Sequence, residues 1–565
     1  MADKGSEAEA CPLKAEEVTV AAAAPAGGPG GVEPVPLGKA PRLSRWRTAA
    51  FFGSLFLGLS VVFVFSFIIP CPVRPVSQRT WSRAYGGAAT YKFLAVGDAD
   101  QDSVKDIIFA FQSTSGGDDR RSSSSNNNSR SSTNRSCSDE GFASPCAFLV
   151  ALSGRNGSTL WQRPVAEDLH LMDCSAELPH SPSCIVVGAP DSITAIDLNT
   201  GQTQWKQAVD FGANATVLNP LLVVPDLDGD GVLDFLIFTA VEEKVKYYFF
   251  SGKDGDLIGS SGSFIVSGWI GHLLLATKTG AHYVLFCTAN ALYGYSVKEL
   301  HHIAIRMPGH RRLDLVEDLH WEMAIDRFSH EVSLISSGEI LYLAKIPAKS
   351  GDDILLARSE ILELLDGQRL GSTWASNIPH IQSEPVIGSY STDAVDVLVE
   401  SRVAPNKKKV VILHGSSGVT AWELELLSRA ESPRPATLPT ADHRSAFLFW
   451  GAYEGETARM GGAGALQQNL YLFHPAVPGV LLEMTNSTEP IVAFQTVLLE
   501  RNRHACYLLL TGPRAGGAPG EVMLSKQKLK EDMASSRVIR LSQLAYDTDQ
   551  SIRDRFLRMR YRSLQ

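Results

Sequence analysis

Charge is scarce in this chain, and so are the signatures of chemistry. Only 20% of its 565 residues are Asp, Glu, Lys or Arg, and the formal net charge is −9. That balance excludes a general attraction for nucleic acid or an anionic membrane surface. No Gly-x-Ser-x-Gly elbow, His-Glu-x-x-His pair or phosphate-binding Gly-x-x-x-x-Gly-Lys-Ser/Thr loop occurs, so the familiar sequence routes to hydrolase, zinc-peptidase and nucleotidase chemistry are missing. His301, His302, His310 and His320 come nearest to a histidine cluster, and ordinary core or surface histidines are expected there. Cysteine is sparse, with eight in the chain. Cys137/Cys146 and Cys174/Cys184 are closely spaced pairs expected to close small loops as disulfides in an oxidising compartment. Cys287 and Cys506 sit in apolar runs and read as buried thiols, and Cys71 offers a disulfide to a second copy in a homodimer.

Long hydrophobic runs are also rare, apart from one at 49–69. It carries no charge over 21 residues, enough for a helix to cross a hydrocarbon core. Pro70-Cys71-Pro72 stands where a signal peptidase would need small residues, so this is read as an uncleaved signal anchor. Lys and Arg flank both sides, which leaves orientation to the sequons. Asn127, Asn134, Asn156, Asn214 and Asn486 each head an Asn-x-Ser/Thr triplet, and all follow the run. A single-pass type II membrane glycoprotein is expected, with the cell surface favoured over Golgi or endoplasmic reticulum. Residues 1–48, rich in Ala, Gly, Pro and Glu, read as a disordered cytosolic tail, and 70–87 as a stalk.

What the chain does have is carboxylate in two short turns. One is Asp226-Leu-Asp228-Gly-Asp230-Gly-Val232-Leu-Asp234, the other Asp98-Ala-Asp100-Gln-Asp102-Ser-Val104-Lys-Asp106. Both lie between apolar runs that read as strands, so each is a hairpin tip. Side-chain oxygens at positions 1, 3, 5 and 9, with the backbone carbonyl of Val104 or Val232 at position 7, would suit a structural Ca²⁺ ion. An EF-hand is excluded. Its twelfth residue must be a carboxylate, and here it is Phe109 or Ile237.

A repeat runs from residue 88 to about 530. Its unit is a strand, a glycine turn and a tryptophan four positions after the glycine: Gly157/Trp161, Gly201/Trp205 and Gly418/Trp422, with variants ending at Gly259 and Trp374. Gly157 to Gly201 is 44 residues and Gly201 to Gly255 is 54. A period near 40–50 with four short strands per unit is the mark of propeller blades. An all-β fold is therefore expected, a propeller of about seven or eight blades, with the tryptophans packed between blades. Residues 112–136 form a Ser/Asn/Arg-rich insertion expected to be disordered. Residues 531–565 form a C-terminal extension whose basic helix carries Ile552, Phe556, Leu557 and Tyr561 on one side and is expected to dock on its own domain.

The Asp loops, the blade period and the literal Val187-Gly188-Ala189-Pro190 resemble the FG-GAP repeats of integrin α-subunits. That resemblance implies a seven-bladed propeller with Ca²⁺ in hairpin loops on one face, and carries the metal role onto the same ten residues. Glu9–Lys14, residues 43–52 and 69–81, Pro439-Thr-Ala-Asp-His-Arg-Ser-Ala-Phe447 and Ser551-Ile-Arg-Asp-Arg-Phe556 are similar to the family-with-sequence-similarity 234 group. This second resemblance implies a membrane glycoprotein with a propeller ectodomain and brings no catalytic residue. The expected function is non-catalytic binding of protein partners as receptor, adhesion molecule or accessory subunit. The alternatives are a secretory-pathway maturation factor and a propeller enzyme of the quinone-dependent dehydrogenase kind.

Overall fold

The structure, a computed structural model, describes residues 45–68, 80–114, 136–178, 182–266, 268–305, 315–334, 338–348, 351–392, 395–429, 432–453, 468–499, 504–542 and 547–563. Contacts divide the chain into two compact units, Met1–Arg74 and Pro75–Gln565. The tail at 1–44, Cys71, Asn127, Asn134, His310 and most of the 112–136 insertion lie outside the described residues.

In the first unit, helix α1 (Arg45–Ile68) covers 24 residues, a rise of about 36 Å. Phe51, Phe52, Phe56, Leu57 and Phe63 on it are exposed. Among the described residues, no helix is long and apolar enough to cross a membrane. The side chains of residues 62 and 64–68 of α1 are not among those described.

The second unit is a ring of eight blades. Seven hydrogen-bonded sheets account for them because one sheet, of seven strands, contains two blades joined through a single long strand, Trp81–Gly97. The second half of that strand opens blade 1, pairing Ala88–Gly97 with Asp106–Ser113. Its first half closes blade 8, pairing Trp81 with Lys526 and Tyr85 with Val522. The N- and C-terminal ends of the propeller are thus zipped into one sheet. Blade 2 covers 168–208, blade 3 216–265, blade 4 269–296, blade 5 340–377, blade 6 386–427, blade 7 436–487 and blade 8 491–528.

The strands form because their sequences are near-continuous runs of Ile, Val, Leu and Phe, the pattern of a strand buried on both faces. Cys146–Leu152, for example, is buried at every position. Eight apolar clusters fill the ring, one at each junction between neighbouring blades. Ile108 and Leu149 meet Cys184 and Val186 between blades 1 and 2. Tyr85 and Val522 meet Ile107 and Phe148 across the closing junction.

Four expectations need correction. The resemblance to integrin repeats implied seven blades, and the described residues form eight. The segment read as a stalk to residue 87 is strand from Trp81 onward. Residues beyond 530 belong to the propeller: Arg537–Arg540 adds a fifth strand to blade 7, beside helix α4 (Leu529–Ser535). Helix α5 (Asp549–Arg558) then buries Ile552 and Phe556 in the cluster between blades 7 and 8, so the docking expected of it is present. Blade 4 departs from the repeat, with only three strands among the described residues and helices α2 (Val297–Ala304) and α3 (Leu319–Ala324) after them.

Two disulfides form at the predicted pairs. Cys137–Cys146 joins a short 3-10 turn to its strand, and Cys174–Cys184 clasps the first two strands of blade 2. Cys287 and Cys506 are buried and not disulfide-bonded. Asn156, Asn214 and Asn486 are exposed.

Candidate metal loops

Four blades bring a tryptophan onto the glycine turn of the next: Trp81, Trp161, Trp205 and Trp374 pack on Gly157, Gly201, Gly255 and Gly418. An added Cβ on Gly157 would lie 2.6 Å from the Trp81 ring, and one on Gly201 2.6 Å from that of Trp161. Both glycines have positive φ, at 72° and 66°, so they supply the turn and the close approach together. The indole N–H of Trp161 donates to the Leu198 carbonyl at 2.7 Å, and that of Trp374 to the Gly415 carbonyl at 2.7 Å. In blade 4, Trp321 on α3 supplies the contact, donating to the Gly367 carbonyl at 3.2 Å. The blade 5 turn puts Leu370, not a glycine, at φ 55°. These docked turns fix the loops on one face.

The two Asp loops lie on that face, each joining the first strand of a blade to its second, in blades 1 and 3. In each, positions 1, 3 and 9 converge. Carboxylate oxygens of Asp98, Asp100 and Asp106 lie within 4.8 Å of one another, as do those of Asp226, Asp228 and Asp234. Backbone N–H groups shape the turn around the first carboxylate. Asp226 accepts from Gly229, Asp230 and Gly231, and Asp98 from Asp102 and Ser103. Gly231 has φ 88° and Ser103 has φ 66°, so the serine adopts the same left-handed conformation at a steric cost.

Position 5 does not join the close group. Asp102 accepts from the Val104 N–H at 2.8 Å and pairs with Arg155 at 3.0 Å. Asp230 accepts from the Val232 N–H at 2.8 Å and from the Ser251 hydroxyl at 3.3 Å. Position 9 has a second job. Asp234 is fully buried, accepting from the Leu227 N–H at 2.6 Å on one oxygen and from the Gly252 N–H at 3.1 Å on the other. Asp106 does the same with Ala99 at 2.8 Å and Gly154 at 2.9 Å. Each therefore ties its loop to the glycine turn of the same blade. Asp353 and Asp396 make the matching bonds to Gly367 at 3.1 Å and Gly415 at 3.0 Å, in blades without an acidic loop. This aspartate brace was not anticipated. Its signal is the Ser-Gly-x-x-Gly turn, whose first glycine leaves room for the carbonyl of the residue before the aspartate: a Cβ on Gly154 would meet the Lys105 oxygen at 2.0 Å and one on Gly252 the Leu233 oxygen at 2.0 Å.

Burial pushes the Asp234 carboxyl up to about 7 and that of Asp106 up to about 6, against the N–H bonds that favour the carboxylate. Asp100 is raised too, by burial and by the neighbouring Asp102 charge. An all-oxygen donor set of this density fits a hard divalent cation, and a cation at the close group would offset the repulsion. The histidines do not assemble a rival site. His301 is buried on α2, His320 is exposed on α3, and no histidine joins a ligand group among the described residues.

Comparison with known proteins places the fold. A family model described as the FAM234A/B beta-propeller matches residues 81–562, the span from the closing strand to the docked C-terminus. The chain belongs to the FAM234A/B propeller family. It is 45% identical to human Protein FAM234A over 92% of each chain, and 44% identical to the bovine protein over 99% of each. The FAM234A/B family thus accounts for the whole propeller, including the segments that sequence period alone left outside it. Among solved structures, Sqt1 of Saccharomyces cerevisiae matches with a TM-score of 0.45 at 8% identity, covering 80% of this chain and 98% of that one.

Proposed function

We infer that this protein is a non-catalytic, single-pass type II membrane glycoprotein whose propeller, stiffened by structural Ca²⁺, binds protein partners. The observation that carries the reading is the pair of three-carboxylate groups held on one face by backbone bonds and buried braces. Bare, the carboxylates of each close group would repel one another, and a bound cation would offset that repulsion. A rigid face of loops on a membrane anchor is an instrument of recognition. Two further features support the placement: the uncharged run inside α1, and exposed sequons with disulfides in the propeller, which suit an oxidising lumen or cell exterior. The Asp loops would supply carboxylate oxygens to the cation, with an affinity of about 10⁻⁴–10⁻³ M, that of extracellular modules.

The test has two arms. The full-length protein in detergent is melted with Ca²⁺ and with chelator, alongside Asp228→Asn. A melting temperature raised by Ca²⁺ in the parent and not in the variant supports the metal, and equal melting with and without chelator rejects it. In intact cells, a labelling enzyme at the C-terminus is supplied with an impermeant substrate. Surface neighbours labelled only outside the cell support the binding role. Labelling confined to permeabilised compartments favours a secretory-pathway maturation factor instead.

A further inference from the structure

Outside the metal loops, the most distinctive chemistry lies where the C-terminal tail returns to blade 7. After α5, residues 559–562 run alongside the Thr440 turn. The Ala441 N–H donates to the Arg560 carbonyl at 2.8 Å, and the Arg562 N–H donates to the Pro439 carbonyl at 2.9 Å. Between tail and blade lies a cavity of about 390 Å³, in the size range of small-ligand sites. Arg555, Arg558 and Arg560 line it, with Asp442, Val477 and Met559 also in its wall.

The charges in this wall do not balance. Arg555 is paired with Asp547 at 2.5 Å. Asp442, the one acid of the wall, already accepts from the Thr440 hydroxyl at 2.5 Å and the Arg444 N–H at 3.4 Å, with the His474 ring at 3.9 Å. Arg558 and Arg560 have no acidic partner among the described residues. Two exposed arginines therefore line one hollow without an acidic partner among the described residues, in a protein whose net charge is −9. The helix dipole explains a cation in the last turn of α5, which covers Arg558. It does not explain Arg560, which lies past the helix end at Arg558 and is placed by backbone pairing to Ala441.

We propose that this cavity binds a small organic anion, a sulfate or phosphate monoester, with Arg558 and Arg560 on the ester oxygens and its uncharged part against Val477 and Met559. Guanidinium forks match such tetrahedral oxyanions geometrically. The volume admits a single substituted sugar and not a folded peptide.

The experiment titrates the full-length protein in detergent, by calorimetry, with glucosamine 6-sulfate, glucose 6-phosphate and unsubstituted glucose. At least one ester binds and glucose does not. Binding of the sulfate alone points to a sulfated glycan as source, binding of the phosphate alone to a phosphorylated metabolite, and binding of both to recognition of the shared oxyanion. Arg558→Gln with Arg560→Gln weakens the ester by roughly tenfold or more, whereas Arg402→Gln, exposed on blade 6, leaves it unchanged. Both arginines are exposed, so the double variant keeps the parent melting temperature. Arg558→Lys, which keeps the charge and loses the fork, gives a smaller loss. Absence of binding by either ester at millimolar concentration, or equal binding by parent and double variant, overturns the proposal.

Discussion

The Trp81 indole packs on the Cα of Gly157, and that contact joins the first residue of the propeller to its first outer turn. Trp81 belongs to blade 8 through its pairing with Lys526, while Gly157 belongs to blade 1. The Trp81 indole N–H reaches the Gly154 carbonyl at 3.4 Å, the Arg83 guanidinium donates to the Gly157 carbonyl at 2.6 Å, and the buried Lys526 ammonium donates to the Gly154 carbonyl at 2.7 Å. The closing junction of the ring is thus latched at one turn.

Gly157→Ala tests the latch. The added methyl would meet the indole at 2.6 Å in a left-handed residue, a cost of about 2–4 kcal/mol. Trp81→Ala opens the same junction from the other side at about 3 kcal/mol. Each lowers the melting temperature, and together they cost less than the sum because they break one contact. Additive losses would show that the two residues act separately.

Tyr91–Val96 was legible as strand and residues 81–87 were not, for a physical reason. Gly86-Gly87 reads as a breaker, and the partner strand of Trp81 lies more than 430 positions away at Lys526. Local pattern cannot see a pairing closed by the whole chain. The clue was Trp81-Ser-Arg83, which repeats Trp161-Gln-Arg163, whose arginine donates to the Gly201 carbonyl at 2.7 Å. Blade 4 was obscured because Trp321 arrives on a helix instead of four positions after a glycine. The Asp loops were legible down to positions 1, 3 and 9, since alternation along one short turn fixes them. What spacing could not tell was that Asp106 and Asp234 also brace a second turn.

That double role separates two substitutions. On the proposed metal reading, Asp228→Asn removes a ligand charge yet keeps an amide oxygen to accept from the Asp230 N–H, now bonded at 3.0 Å, so it lowers Ca²⁺ affinity with little change in cation-free stability. Asp234→Ala also frees the buried N–H groups of Leu227 and Gly252, so it costs about 2–4 kcal/mol even with chelator present. Equal cation-free melting for the two variants would deny the brace.

The same carboxyls set a pH dependence. Folded-state values of about 7 for Asp234 and about 6 for Asp106 exceed the ordinary 3.8. Between pH 4 and 7 the cation-free folded protein therefore binds more protons than the unfolded chain, and stability falls as pH rises through that window. On the proposed metal reading, Ca²⁺ needs the carboxylates, so its binding would release protons and tighten as pH rises toward 7.5. In chelator the melting temperature is higher at pH 5.5 than at pH 7.5, and added Ca²⁺ narrows or reverses the gap. A gap that ignores Ca²⁺ would place its origin elsewhere.

Cys174–Cys184 closes a small hairpin loop at the start of blade 2. Cross-linking residues ten apart restrains the unfolded chain by about 2–3 kcal/mol. The double serine variant should melt lower by that equivalent while retaining the Ca²⁺ response proposed for the Asp loops, because those loops lie in blades 1 and 3. Loss of the Ca²⁺ response along with stability would mean that blade 2 transmits order between them.

Helix α5 gives the sharpest stability prediction, because its contacts are core contacts. Phe556 is fully buried and Ile552 nearly so, beside Trp450, Tyr507 and Met533 at the junction of blades 7 and 8. Thr548 caps the helix, accepting from the Ser551 N–H at 3.2 Å, and Arg553 ties it to the Ser536 carbonyl at 3.2 Å. A surface appendage would come off without consequence. Phe556→Ala in this setting costs about 3–5 kcal/mol, and the exposed helix face becomes a protease site. Limited proteolysis should release the C-terminal peptide from the variant and not from the parent, with the melting temperature of the whole propeller falling in parallel. Release of the peptide with unchanged melting would make the helix an accessory rather than part of the closing junction.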